Sequence, residues 1–349
     1  MFAVDPVSRE TIDSWSVSEA GLPTRVVNSV QMAGVDTIGQ LRNWSETDLL
    51  RLRSLGRVSL DQIHYFFKLC NRIEKANQRF SAIHELLDIF LDVPQLSVIT
   101  ARYGCYQRDV IASRNWVTLQ EIGNRENKTR ERIRQVEEMG KQKLRSRMAR
   151  VCLQPFYEFF ATFIQQRARA IATQELVALR NHEALRELNP AGILLLLSDL
   201  HPDRIGFQND FFTTLPQAAI HHIEQGVLDT LGNSPIPVSI DQLAQGIGSI
   251  DALPDRADFR QATAVIADHH PTIGATIDDR YFLYSTSVQP FLVELMQRME
   301  RPAHYRSVTT TFNDRVKPSS RKGAGFILDV LNRIEQCQRV DRGIYTLST

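Results

Sequence analysis

The chain has 349 residues, with 41 Lys plus Arg against 40 Asp plus Glu and a formal net charge of +1. That length suits two domains of about 150 residues or a larger number of small modules. A hydrophobic share of 43% and a charged share of 23% argue against a disordered chain. The densest apolar run, Ile193 to Leu197, falls far short of the roughly 20 residues that a membrane-spanning helix needs. The N-terminus shows no secretory pattern. Cys70, Cys105, Cys152 and Cys337 stand far apart with no CxxC, so no disulfide framework or zinc knuckle is expected. A soluble, cytoplasmic protein with no membrane partner is implied.

Residues 1–75 read as short helices separated by turns. In the stretch Leu22 to Phe67, Val26, Val27, Val30 and Met32 open an apolar helical face that Ala33-Gly34-Val35-Asp36-Thr37 breaks. Ser45, with Asp48 three residues on, marks a helix start. Leu55-Gly56-Arg57 forms a tight turn, and Ser59 caps a helix facing inward with Leu60, Ile63, Phe66 and Phe67. A glycine turn between two helices lets backbone N–H groups approach a phosphate, because no Cβ intervenes. That is the helix–hairpin–helix way of holding DNA, although a plain packing module would show the same turn. The pieces LPTRVVNSVQMAGVDTIGQL, SETDLL and LGRVSLDQI, in this order, resemble the C-terminal domain of the bacterial RNA polymerase alpha subunit. The resemblance implies that Arg25 and Asn28 enter a minor groove, where a narrow A·T-rich tract favours arginine. It also implies that Gly56 and Ser59 grip the backbone. Val58 stands where that family has a basic residue.

A second helical unit is expected over residues 80–150. Between Arg125 and Arg150, ten basic residues face four acidic ones, so this stretch carries +6 and the remainder of the protein −5. Local positive charge on a mildly acidic chain suits a phosphate-docking surface, and a solvated helix face would show a similar pattern. Thr118 precedes Leu119 and Ile122 on one helix, and Gly123 leads into a turn. Thr129 then caps a helix with Ile133, Val136 and Leu144 inward and Arg130, Glu131, Arg134 and Gln135 outward. Arginine can be bidentate to guanine and glutamine to adenine, while glutamate accepts from cytosine, as a major-groove recognition helix requires. Lys143, further along the same basic stretch, is a candidate backbone contact. The run from Leu96 to Arg145, with TRERIRQVE followed by KLR, resembles region 4 of the primary bacterial sigma factors. The resemblance implies that Arg130, Glu131, Arg134 and Gln135 read a promoter element, and that Arg102, Thr118 and Leu119 touch phosphates. Two departures stand out: a longer stretch from Cys105 to Val117, expected as a surface excursion, and a polar turn from Asn124 to Lys128.

Residues 151–225 read as a helical connector. Phe159, Phe160, Phe163, Ile164 and Ile171 follow helical spacing, as in a core helix or a dimer face. His221-His222 and His269-His270 lack a third ligand at plausible spacing, so no metal and no cofactor are expected. The segments 226–286 and 287–349 share a plan of helices followed by a hairpin, the winged-helix order. In the first, Ser239 caps IDQLAQGI, and Thr272–Ile277 with Arg280–Tyr284 forms the hairpin. In the second, a helix from about 320 to 335 is expected. Its RPAHYRSVTTTFN and VDRGIYTL resemble the HARE-type winged helix. Arg306, Lys317, Arg321 and Lys322 are candidate DNA contacts there, whereas the earlier winged helix reads as architectural or as a protein dock.

No GxxxxGK[ST], HExxH or GxSxG string occurs, so catalysis is not expected. The expectation is a mainly α protein of tandem small DNA-binding modules: helix–hairpin–helix, helix–turn–helix and two winged helices. Its function would be non-catalytic, sequence-specific binding of double-stranded DNA, as a bacterial transcription regulator. Alternatives are a DNA-recognition subunit of a nuclease or defence complex, or a mimic that docks on RNA polymerase. RNA polymerase or a separate effector protein would be further partners, and a homo-oligomer stays open.

Overall fold

The computed structural model describes residues 8–75, 83–107, 117–185, 188–299 and 302–348. They are mainly helical, with three small antiparallel sheets, the composition of tandem small DNA-binding modules. The protein divides into two compact units, residues 1–163 with 173–205 and residues 164–172 with 206–349.

The first unit begins with α1 (Arg9–Asp13), α2 (Thr24–Met32), α3 (Ile38–Arg42), α4 (Glu46–Arg51) and α5 (Arg57–Lys75). Local chemistry sets the ends. Thr37 makes a capping box with Gln40, and the Ser45 hydroxyl accepts from the Asp48 N–H, each cap contributing about 1 kcal/mol. Val26, Val27 and Val30 are buried as expected. Met32 is not: it lies 87% exposed at the end of α2, because two residues past Val30 at about 100° per residue places it on the opposite face of the helix. Ser59 does not cap α5 either. The helix starts at Arg57, which leaves Ser59 in its first turn and only 6% exposed.

α6 (Ile83–Phe90), α7 (Val93–Arg102), α8 (Leu119–Glu126) and α9 (Arg130–Leu144) follow. Val98, Val117, Ile122, Ile133 and Val136 form the core shared by α7, α8 and α9. Thr118 makes a capping box with Glu121, and Thr129 caps α9 through the Arg132 N–H. Gly123 lies inside α8 rather than at its end; the turn is made by Asn127 in the left-handed region. Gly123 is needed for another reason, since a Cβ there would come within 2.6 Å of the Lys128 carbonyl. Most of the expected excursion between Cys105 and Val117 lies outside the described residues.

α10 (Arg147–Gln165) carries the phenylalanine-rich face, and Phe156, Phe160 and Phe163 are buried within the protein. Two 3-10 turns, Thr173–Leu179 and Glu183–Leu185, lead to α11 (Pro190–Leu200), which is apolar nearly all round and correspondingly buried. His201 ends α11, with its ring against Tyr157 and its Nε2 buried without a hydrogen-bond partner among the described residues.

The second unit contains β1 (Ala170–Ala172), β2 (Gly206–Gln208) and β3 (Phe211–Thr213), ordered β1-β3-β2. It continues with α12 (Gln217–Gly232), β4 (Val238–Ser239), α13 (Ile240–Ile247), α14 (Arg256–His269), β5 (Ile273–Ala275) and β6 (Arg280–Leu283). The same order then recurs in α15 (Val288–Met299), β7 (Ala303–His304), α16 (Tyr305–Arg315), α17 (Ala324–Leu331), β8 (Cys337–Asp341) and β9 (Ile344–Leu347). Each repeat thus runs helix–strand–helix–helix–hairpin, with sheets ordered β4-β6-β5 and β7-β9-β8. α17 is shorter than the expected 320–335 helix. A 3-10 turn at Pro318–Ser320 precedes it, and the backbone leaves it at Asn332.

The first repeat shares a core with β1 and β3: Ala170 and Phe211 pack with Ile223, Leu243 and Phe259. Its hairpin is tied to the second repeat. Phe282 of β6 belongs to the core of α15, α16 and α17. Thr276 bridges Val316, the Lys317 N–H donates to the Ala275 carbonyl at 2.8 Å, and the Ser320 hydroxyl accepts from the Ala275 N–H at 2.9 Å. The outer edge of β5 is therefore covered.

Two stability outcomes follow from this packing. Gly123→Ala would gain about 1 kcal/mol in an open helix, but against the Lys128 carbonyl it should cost about 1–3 kcal/mol. A raised urea midpoint for the variant would show that the close approach does not exist. His201 is held below its ordinary 6.5, first by burial and then by Arg150. The unfolded state takes up a proton near 6.5 that the fold resists, so stability should fall as pH drops below that value through the lower folded one. Urea unfolding over roughly pH 5 to 8 should show this fall, and His201→Gln should reduce it to the part owed to His270, which burial also lowers.

Candidate nucleic-acid interface

The helix–turn–helix presents α9 by its N-terminal end. Arg130, Glu131, Arg134 and Gln135 are all exposed there, opposite buried Ile133 and Val136. The four are not independent. Arg134 is bidentate to Glu131, with Nε and Nη2 at 2.9 and 2.8 Å from the two carboxylate oxygens. Gln135 Nε2 reaches the same carboxylate at 3.4 Å. The Arg134 hydrogen bonds hold the Glu131 carboxyl below its ordinary value and raise the guanidinium above its own. Glu131 thus gathers one arginine and one glutamine side by side on the exposed face of α9. Arg132, which the sequence reading passed over, is exposed beside them and touches Gln135 at 3.4 Å.

The +6 of this region is unevenly placed. Lys141 pairs with Glu137 at 3.0 Å and Asp199 at 2.7 Å, while Lys143 binds Gln95 at 2.7 Å and Asp92 at 3.3 Å. Arg147 pairs with Glu19. Three carboxylates from other elements, Asp92, Asp199 and Glu19, thereby reduce +6 to +3. Arg125 and Arg130 are exposed and enter no ion pair among the described residues. Lys143 is thus held within the fold. Arg102 is likewise turned inward, to the Val117 carbonyl at 2.8 Å and Glu137 at 3.7 Å. Thr118 is exposed but spends its hydroxyl on the capping box, and Leu119 packs partly against the core.

In the N-terminal module, Arg25 and Asn28 are exposed one turn apart on α2. Arg25 Nε donates to the Ser54 carbonyl at 2.8 Å, and the Ser29 hydroxyl reaches the Arg53 carbonyl at 3.2 Å. These bonds brace the turn before α5, where Ser54 is left-handed. Gly56 meets nothing that a Cβ would strike and has no positive φ. Among the described residues nothing lies within 4 Å of a Cβ built at Gly56, so this turn is open on its outer side. Ser59 is buried beside it. Arg53 and Arg57 are exposed around the turn, so cationic charge is present although Val58 is 73% exposed where a basic residue was expected. The string RLRSLGR carried that signal in the sequence.

Among the four candidates near the C-terminus, Arg306 and Arg321 are exposed. Lys317 is held by Asp268 at 3.0 Å and Asp279 at 2.8 Å; burial opposes its charge, and the two aspartates raise its pKa overall. Lys322 lies 3.7 Å from the Tyr284 ring centroid and 5.5 Å from that of Phe326, and burial lowers its pKa. No group of His, Cys, Asp and Glu among the described residues could hold a metal ion. No helix among them is long and apolar enough to cross a membrane.

Residues 6–68 match the family of the C-terminal domain of the bacterial RNA polymerase alpha subunit. Over 63 residues the protein is 36% identical to the DNA-directed RNA polymerase subunit alpha of Leuconostoc mesenteroides subsp. mesenteroides, a match covering 18% of this sequence and 20% of that one. Over 57 residues it is 33% identical to the same subunit of Staphylococcus aureus strain Newman, covering 16% and 18%. The protein thus spans about a fifth of the length of these curated relatives. No solved structure matches it. Residues 6–68 are an RNA polymerase alpha C-terminal-domain-like module.

Proposed function

We propose that the protein is a non-catalytic, sequence-specific DNA-binding protein acting in bacterial transcription control. The observation that carries this reading is the N-terminal end of α9, where Arg130, Glu131, Arg134 and Gln135 stand exposed and pre-oriented by the Glu131 carboxylate. The alpha-subunit-like module supports it with a braced turn at Gly56 and exposed Arg25, Asn28, Arg53 and Arg57. Base reading belongs to α9, and backbone or minor-groove contact to the N-terminal module. A second reading, docking on RNA polymerase or another protein, is favoured by the exposed Met32, Leu50 and Val58 of that module. Co-purification with polymerase in the absence of any DNA shift would select it.

Base-reading and positioning residues should separate in two measurements. Arg134→Ala should lose roughly 1–3 kcal/mol on the preferred duplex and relax base preference at one position. An unchanged ranking of randomised duplexes would remove α9 from base recognition. Arg57→Ala, beside the Gly56 turn of the N-terminal module, should lower the salt dependence of binding by about 0.9 in the log–log slope, the value for one phosphate contact. Lys143→Ala should leave that slope unchanged, because Lys143 is already held by Gln95 and Asp92. Affinity titrations over a range of salt concentrations read both.

A further inference from the structure

We propose that the two modules of the first unit bind one duplex as a single body, at a composite site whose two elements have one fixed spacing. The inference rests on the DNA-binding reading above and adds the architecture of the target. Two small modules in tandem could move independently of one another. Contacts between them remove that freedom.

One anchor joins the N-terminal module to the junction of α9 and α10. The Arg147 N–H donates to the Glu19 carbonyl at 3.1 Å, and its guanidinium pairs with the Glu19 carboxylate and lies 5.3 Å from the ring centroid of buried Trp15. Gly21, at φ +83°, lets the backbone approach so closely that a Cβ would sit 2.5 Å from Ser146 Cβ. The other anchor joins α5 to the second module. Tyr65 donates to the Ile89 carbonyl at 3.2 Å, and Lys143 lies 5.7 Å from the Tyr65 ring centroid while bonded to Gln95. One anchor would leave a hinge; two, on different elements of the N-terminal module, leave none.

The anchors also bound the spacing. Arg57, beside the Gly56 turn, is eight residues from Tyr65 along α5, an arm of about 12 Å at 1.5 Å per residue. Arg130 is thirteen residues from Lys143 along α9, an arm of about 20 Å. With two side chains between the arms, the DNA-facing ends lie within about 50 Å, or about 15 base pairs at 3.4 Å each. Tethered modules would tolerate many spacings with a gradual loss of affinity. A rigid body tolerates one, because insertion of half a helical turn carries the second element to the far side of the duplex.

The full-length protein is used to select duplexes from a random pool, and the recovered motif is then rebuilt with 5 or 10 base pairs inserted between its parts. The proposal expects a two-part motif with its parts within about 15 base pairs. Affinity should drop at least tenfold for both insertions, since a full turn restores the face but not the distance. Equal affinity for all three spacings overturns it in favour of tethered modules. A single-element motif with backbone protection confined to one groove also overturns it, while leaving DNA recognition by α9 intact. Failure to enrich any sequence sinks the DNA-binding reading itself, and the composite site with it.

Discussion

The C-terminal half of α9 is fastened by carboxylates from other helices, and this fastening decides which cations of the protein face outward. Lys141 has only 14% of its side chain exposed, lodged between Glu137 and Asp199. Asp199 is in turn hydrogen-bonded by Tyr103 at the end of α7. Removing one partner from such a half-buried cluster leaves the others uncompensated, which costs more than the loss of a surface pair. The cluster ties α7, α9 and α11 together and consumes the positive charge at that end of α9. What stays available is the opposite end, where Thr129 caps the helix and Arg130, Arg132 and the Glu131-paired Arg134 are exposed. The helix dipole adds partial positive charge at the same end. The ion pairs thus give α9 a fastened C-terminal half and an exposed N-terminal end.

The second unit applies similar chemistry with a different result. Its first hairpin carries exposed Ile277 at the turn, yet the Ile277 N–H donates to the Arg315 carbonyl, and Lys317 bridges to Asp268 and Asp279. A wing whose edge is paired and whose nearest lysine is neutralised is poorly suited to a phosphate backbone. The outward positions of α17 include Gly325 and Asp329, with Asp329 held by Arg333 at 2.6 Å. Two winged-helix orders in one protein do not therefore imply two DNA surfaces. The exposed Arg306 and Arg321 keep the last repeat a candidate, and the first suits an architectural role.

Much of the first unit was legible in the sequence because its signals are local. The Thr118 and Thr129 caps, the inward Ile133 and Val136 and the outward quartet of α9 each depend on residues within one or two turns. The glycine turn at Leu55-Gly56-Arg57 was equally plain. Partners brought from far along the sequence were not legible. Lys143 reads as a free cation until Asp92 and Gln95 are placed beside it, Lys317 until Asp268 and Asp279 are, and Arg102 until Val117 and Glu137 are. β4 and β7, two residues each, are too short for an alternating pattern to show, although they complete both winged-helix sheets. The sheet β1-β3-β2 escaped for the same reason, and with it the packing of residues 168–172 against the first repeat.

Near-neutrality of the whole protein becomes informative once these pairings are known. A protein with the same basic residues and fewer carboxylates would adhere to any polyanion, because the phosphate term carries no sequence information. Here Asp92, Asp199 and Glu19 withdraw three charges from the basic segment, the first two while fastening α9 and the third while fastening the start of α10. The residual +3 is small enough that backbone attraction alone would hold the protein weakly at physiological salt. The carboxylates that fasten the C-terminal half of α9 therefore also set how much positive charge the helix–turn–helix presents.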